Sequence, residues 1–121
     1  MAHPERADAA AARAARNDAI FRDANEHIES SAASIGALDG DPLPFLCECA
    51  DVSCTEIVRL TPAEYTSVRR QPSRFAIARG HEGDESWARV VQQHERFEIV
   101  EKLGVAANEA EKLDPRRGSR E

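Results

Sequence analysis

The stretch FLCECADVSCTEIVRLTPAEY, residues 45–65, decides the fold, because a strand, a turn, a second strand and a helix start follow one another within it. Phe45 to Ala50 reads as a strand, and Glu56 to Leu60, with Ile57 and Val58, reads as its antiparallel neighbour. Asp51, Ser53 and Cys54 then make the turn. In T-P-A-E, residues 61–64, Thr61 can cap a helix, Pro62 fits its first position, and Glu64 can return a bond to the Thr61 backbone. That helix is short, with Tyr65 and Val68 on its inner face, and it must end before Pro72. All three cysteines of the chain, Cys47, Cys49 and Cys54, lie inside this segment.

Working outward toward the N-terminus, the run DGDPLP (39–44) and Gly36 stop a long helical pattern that begins at Pro4, a residue suited to a first helical turn. Ile20, Phe21, Ala24, Ile28 and Ile35 fall on one stripe at helical spacing, which is the face expected to meet a core. Residues 5–16 offer only alanine to such a face. They are expected to hold weakly, to fray, or to dock on another protein or a second copy.

Toward the C-terminus, Arg74 to Ala78 reads as a strand with Phe75 and Ile77 inward, followed by a polar loop at 80–84. Residues 87–92 read equally as strand or helix, and Phe97 to Leu103 reads as a strand that makes a hairpin plausible. The expected fold class is therefore α+β: a long N-terminal helix packed on a small antiparallel β-sheet with a short helix, stapled by metal. The expected division is an Ala-rich, frayed helix start over 1–16 and a single α+β domain with a zinc knuckle over 17–103. The tail 104–121 is expected to start helical (VAANEAEKL) and to end partly disordered.

With 121 residues the chain makes one domain, and four Phe, one Tyr and one Trp supply a modest core. Small domains often recover stability from metals or disulfides. The net charge of −6 is spread: residues 1–40 carry 4 basic and 7 acidic groups, 41–103 carry 8 and 11, and 104–121 carry 4 and 4. That distribution disfavours broad electrostatic capture of nucleic acid. MAHPERADAA has no apolar signal core, and no later run is long and apolar enough to span a membrane, so the expected compartment is reducing cytoplasm. Arginine far outnumbers lysine, and with the Ala-rich opening this points to a high-GC bacterial genome. In such a compartment clustered cysteines serve as metal ligands or redox groups more often than as structural disulfides.

Three cysteines placed at random would share an eight-residue window in about 1% of chains this long, so the grouping calls for a cause. The metal reading is a Zn²⁺ site, since thiolates are soft donors and Zn²⁺ takes four tetrahedral N/S ligands. On an extended strand Cys47 and Cys49 leave the same face, and Cys54 returns across the turn. C-x-C is wide for one ion on a flat strand, so a bulge or pinch is required. Two other readings stay open: small buried apolar residues, and a strained dithiol with Cys54 resolving. No lysine or helix N-terminus flanks the thiols to lower their pKa.

A closed site needs a fourth donor, and the chain offers His3, His27, His81 and His94, with Glu48 and Asp51 nearby. His81 is the choice, because it follows Gly80 where a loop can fold back over the knuckle. Its other ring nitrogen then needs an acceptor, which Glu82 or Asp84 can supply. His94 reads as a surface turn residue, His27 as a helix flank, and His3 as terminal.

The core FLCECADVSCTEIVRLTPAEYTSVRRQPSRFAIARGHE, with the following RFEIVEK, resembles a family of small proteins from high-GC Gram-positive bacteria. In that family a long helix precedes a C-x-C-x4-C segment, an L-T-x-x-E-Y helix start and a G-H-E tripeptide. The resemblance spans about residues 15–103 and implies that Cys47, Cys49, Cys54 and His81 form one set. It brings no activity with it.

Catalysis is the weaker reading. A three-thiolate site donates much charge and makes a poor Lewis acid. H-E-x-x-H, deaminase spacing and a glycine-rich phosphate loop are all missing from the sequence. Arg69, Arg70, Arg74 and Arg79 gather after the short helix and could touch phosphate, or simply end the helix favourably. The expectation is thus a small cytoplasmic zinc-binding module for protein interaction or regulation. Its alternatives are a thiol-redox or metal-dependent enzyme using the three cysteines, and a nucleic-acid-binding zinc module.

Overall fold

The computed structural model describes residues 4–34, 40–51, 53–81, 83 and 86–116. Helix α1 (Pro4–Ser34) is followed by strands β1 (Leu43–Leu46) and β2 (Ile57–Leu60), helix α2 (Pro62–Arg69) and strand β3 (Arg74–Ile77). Strands β4 (Ala88–Gln93) and β5 (Glu98–Lys102) and helix α3 (Gly104–Lys112) complete the order. The class is α+β, with two small antiparallel sheets where the sequence led us to expect one. β1 pairs with β2, Phe45 opposite Val58, while the other sheet has the order β3-β5-β4. The ambiguous segment 87–92 resolves as β4 of a hairpin with β5, bulged between Val90 and Gln92.

The T-P-A-E start forms as read: Thr61 Oγ1 accepts from the Glu64 N–H, and the Glu64 carboxylate accepts from the Thr61 N–H. Phe45, Val58, Leu60, Tyr65, Val68, Phe75, Ile77, Phe97 and Val100 make one buried core between the two sheets and α2. Phe45 and Tyr65 stack at its centre with ring centroids 4.3 Å apart.

The inner face of α1 is not the expected one. Ile20 is 63% exposed, while Ala11, Ala15, Asp18, Arg22 and Asn25 are buried. These positions repeat every three to four residues, so they form a helical stripe as regular as an apolar one. The physical reason lies in what α1 covers, which includes backbone carbonyls and a buried ammonium. Arg22 donates to the carbonyls of Pro72 and Arg74, and its guanidinium lies 3.6 Å from the Phe75 ring centroid. The Asp18 carboxylate meets the Lys102 ammonium at the end of β5. Nearer its start, Ala11 and Ala15 pack on Ala106 of α3, with Trp87 and Val105 alongside. Alanine suits this crossing because it lets two helices approach closely. Of the expected stripe, Ile28 does touch the core, and Ile35 lies outside the described residues.

Arg69 also departs from the surface reading. Its guanidinium is buried between Glu26 of α1 and Asp114 beyond α3, and Arg116 adds pairs to Glu26 and Glu29. Arg74 pairs with Glu101. Of the four arginines at this end of α2, Arg69 and Arg74 thus tie elements together, while Arg70 and Arg79 are exposed.

Candidate metal centre

At Leu46, the last residue of β1, the backbone groups that face away from β2 go to the Asn25 side chain. Asn25 Nδ2 donates to the Leu46 carbonyl at 2.9 Å, and the Leu46 N–H donates to Asn25 Oδ1 at 2.8 Å. The sheet ladder then makes one more bond, Cys47 N–H to the Glu56 carbonyl at 3.1 Å. At the next residue the chain changes partners: the Glu48 N–H donates to the Ala76 carbonyl of β3 at 2.9 Å. The strand expected over Phe45–Ala50 thus ends at Leu46, and the C-x-C pair sits on a crossing segment between the two sheets. This is the pinch that one ion requires.

Cys54 returns through a turn built on Asp51. Asp51 Oδ1 accepts from the Ser53 N–H at 2.9 Å and from the Ser53 hydroxyl at 2.6 Å, while the Asp51 carbonyl accepts from the Cys54 N–H at 3.0 Å. His81 comes from the far side. Its N–H donates to the Ala78 carbonyl at 3.1 Å, closing a turn in which Gly80 takes φ +85°, a value glycine adopts without strain.

These four residues converge. Cys47, Cys49, Cys54 and His81 each offer a ligand atom, and all of those atoms lie within 4.8 Å of one another. His81 Nδ1 is 3.6 Å from both the Cys47 and the Cys54 sulfur. A tetrahedral ion with bonds of about 2.3 Å to sulfur and about 2.0 Å to nitrogen holds such atoms about 3.6 Å apart. The donor set suits a tetrahedral thiolate–imidazole ion in its chemistry, and the two sulfur–nitrogen separations match its spacing. Cys47 and Cys49 are buried and Cys54 is half-buried, so the site is closed on the core side and reachable past Cys54.

Burial pushes the Cys47 and Cys49 thiols well up, since a lone thiolate there would lose its hydration. The Ala78 N–H, 3.1 Å from Cys47 Sγ, works the other way by donating to the sulfur. A cation at the centre would complete that compensation, exchanging thiol protons for coordination. Asp51 is held below the usual carboxylate range, first by its two Ser53 hydrogen bonds and then by the nearby His81.

The other histidines stand elsewhere. His27 is exposed, with Nδ1 2.9 Å from the Asp23 carbonyl on its own helix. His94 is exposed in the β4–β5 turn and stacks on Phe97. His3, and the acceptors Glu82 and Asp84 suggested for His81, lie outside the described residues.

Glu48, weighed as a neighbouring donor, has a different place. Lying between Cys47 and Cys49, it turns inward and is fully buried. Its Oε2 accepts from the Tyr65 hydroxyl at 2.7 Å and from Asn25 Nδ2 at 2.9 Å, and its Oε1 accepts from the Ala76 N–H at 3.0 Å. Three donors make a buried carboxylate tolerable, where an unpaired one would be costly. Sequence reasoning missed Glu48 and Asn25 in this role. Alternation gave no signal for it, since it places residue 48 on the face opposite Phe45, Cys47 and Cys49, which are themselves in the core.

A cleft of about 510 Å³ opens beside the cluster, lined by Cys49, Ala50, Asp51, Gly80, His81, Gly83 and Trp87. Among the described residues, no helix is long and apolar enough to cross a membrane. No family model, curated protein or solved structure matches this chain.

Proposed function

We propose that the chain is a small cytoplasmic module that carries one structural Zn²⁺ on Cys47, Cys49, Cys54 and His81 and acts by binding another protein or a second copy of itself. The observation that carries this reading is the convergence of three sulfurs and one imidazole nitrogen within 4.8 Å, drawn from three separate stretches of chain. Four protein donors fill a tetrahedral zinc shell and leave no position for a substrate, which favours a structural over a catalytic ion. Burial of Cys47 and Cys49 works against the rival redox use, because exchange needs an accessible thiolate. Membership of the bacterial family that the C-x-C-x4-C core resembles is part of the same proposal.

The test is elemental analysis of protein purified without a metal-affinity column. About one zinc per chain is expected. Metal-free protein with three titratable thiols, folded as before, would refute the metal reading, and bound iron would return the question to electron transfer or sensing.

A further inference from the structure

We infer that Asn17 and Asn25 are positioning residues of the metal centre, and that docking of α1 and metal binding at the cysteine segment strengthen one another. This rests on the metal-binding reading above. The two asparagines hold opposite ends of the segment that carries Cys47 and Cys49. Asn25 is bonded to both backbone groups of Leu46, just before the first ligand, and Asn17 Nδ2 donates to the Ala50 carbonyl at 3.0 Å, just after the second. Asn25 Nδ2 also reaches the carboxylate of Glu48, the residue between the two ligands. Eight residues apart on one helix, the two amides are separated by about 12 Å of rigid rod. The C-x-C segment is thus clamped to a stiff element at both ends, and the two thiols are brought to the ion with less conformational freedom left to lose.

The coupling runs in both directions. The buried residues of α1 are Ala11, Ala14, Ala15, Asp18, Arg22 and Asn25, so apart from its alanines this face gains little from apolar burial and depends on directional bonds. The bonds made by Asn17 and Asn25 exist only while residues 46–50 keep the shape that an ion on Cys47 and Cys49 would fix. Two binding events that favour the same loop geometry must favour each other equally.

The test uses the full chain with Asn25→Ala, Asn25→Asp, Asn17→Ala and, as a stability control on the same helix, Ile28→Ala. Asn25→Asp keeps the size and the acceptor for the Leu46 N–H but loses both donated bonds. Zn²⁺ affinity is measured by chelator competition, ligand geometry by the absorption of the Co²⁺-loaded protein, and docking of α1 by hydrogen exchange over residues 11–25. We expect both Asn25 variants to bind Zn²⁺ about 10- to 100-fold more weakly and to shift the Co²⁺ spectrum, as loss of an outer-shell partner does. Asn17→Ala should move both in the same direction by less, and Ile28→Ala should leave the Co²⁺ spectrum unchanged. Removing Zn²⁺ from the unaltered protein should speed exchange in α1 more than in β4 and β5. If the unaltered protein binds Zn²⁺ but the asparagine variants keep its affinity and spectrum, the positioning role is wrong. Exchange in α1 that ignores chelation overturns the coupling, and that arm needs no variant to fold. An unaltered protein that binds no metal overturns the metal reading itself.

Discussion

Replacing Tyr65 by Phe removes one oxygen from the middle of the molecule and should cost about 2 kcal/mol of folding stability. The hydroxyl donates to Glu48 Oε2 at 2.7 Å, and both side chains are fully buried. Burial, and next the neighbouring carboxylate, raise the phenol far above its usual range, so it stays a donor at every working pH. Hydrogen bonds to a charged partner contribute about 1.5–3 kcal/mol. Glu48 keeps its bonds from Asn25 and the Ala76 N–H, so the loss should fall inside that range and not above it. The ring itself still stacks on Phe45 at 4.3 Å, which excludes a packing contribution of similar size. With a urea slope of about 1–3 kcal/mol/M, the unfolding midpoint of the metal-loaded protein should fall by about 1 M. In a Glu48→Gln background the same change should cost about 1 kcal/mol or less, because the acceptor no longer carries charge. An unchanged midpoint, or strict additivity of the two substitutions, would refute the claim that this bond holds the residue between Cys47 and Cys49.

Other perturbations test other parts. Cys54→Ser should lose bound metal and lower the melting temperature together, since binding free energy here is folding free energy. His94→Ala, at an exposed turn, should leave metal content unchanged, and zinc per chain with thermal melts reads both. Arg69→Ala would remove the guanidinium paired with buried Asp114 and leave Glu26 to Arg116, and should destabilise by about 3–5 kcal/mol in urea unfolding. A loss under about 1 kcal/mol would mean that Arg116 alone satisfies that cluster. Asp18 is raised from 3.8 to about 7, chiefly by burial, with the Lys102 ion pair opposing. The folded chain therefore keeps a proton that the unfolded chain gives up between those two values. Its contribution should decline as pH rises through that window, by at most about 1.4 kcal/mol per pH unit. Asp18→Asn should flatten the slope, and stability-versus-pH curves that stay parallel for the two proteins would count against it.

The candidate site was more legible than the packing around it. Cys47, Cys49, Cys54 and His81 could be grouped because metal chemistry restricts residue types so strongly that four donors near two turns leave few combinations. The α2 start was legible for a similar reason, since Thr61, Pro62 and Glu64 each satisfy a local backbone need. The face of α1 was not. Hydrophobic spacing selected Ile20, which is exposed, while the buried stripe is written in alanine and in Asp18, Arg22 and Asn25. Those residues make sense only against Pro72, Arg74, Leu46 and Lys102, contacts 21 or more residues away that no local window contains. The extent of β1 escaped for the same reason, because the group that draws the chain away from β2 at Glu48, the Ala76 carbonyl, belongs to another element.

The outer side of β3 has a consequence for solubility. Strands left open at a sheet edge are templates for pairing with other chains. Along this edge the Arg74 N–H donates to Gln71, the Arg74 carbonyl accepts from Arg22, and both backbone groups of Ala76 are taken by Glu48. The Ala78 N–H goes to the Cys47 sulfur, and the Ala78 carbonyl accepts from the His81 N–H. The segment that carries Cys47 and Cys49 is therefore also the guard of an otherwise exposed, β-prone RFAIA edge. A chain that loses that segment's shape risks intermolecular strand pairing before it loses its core.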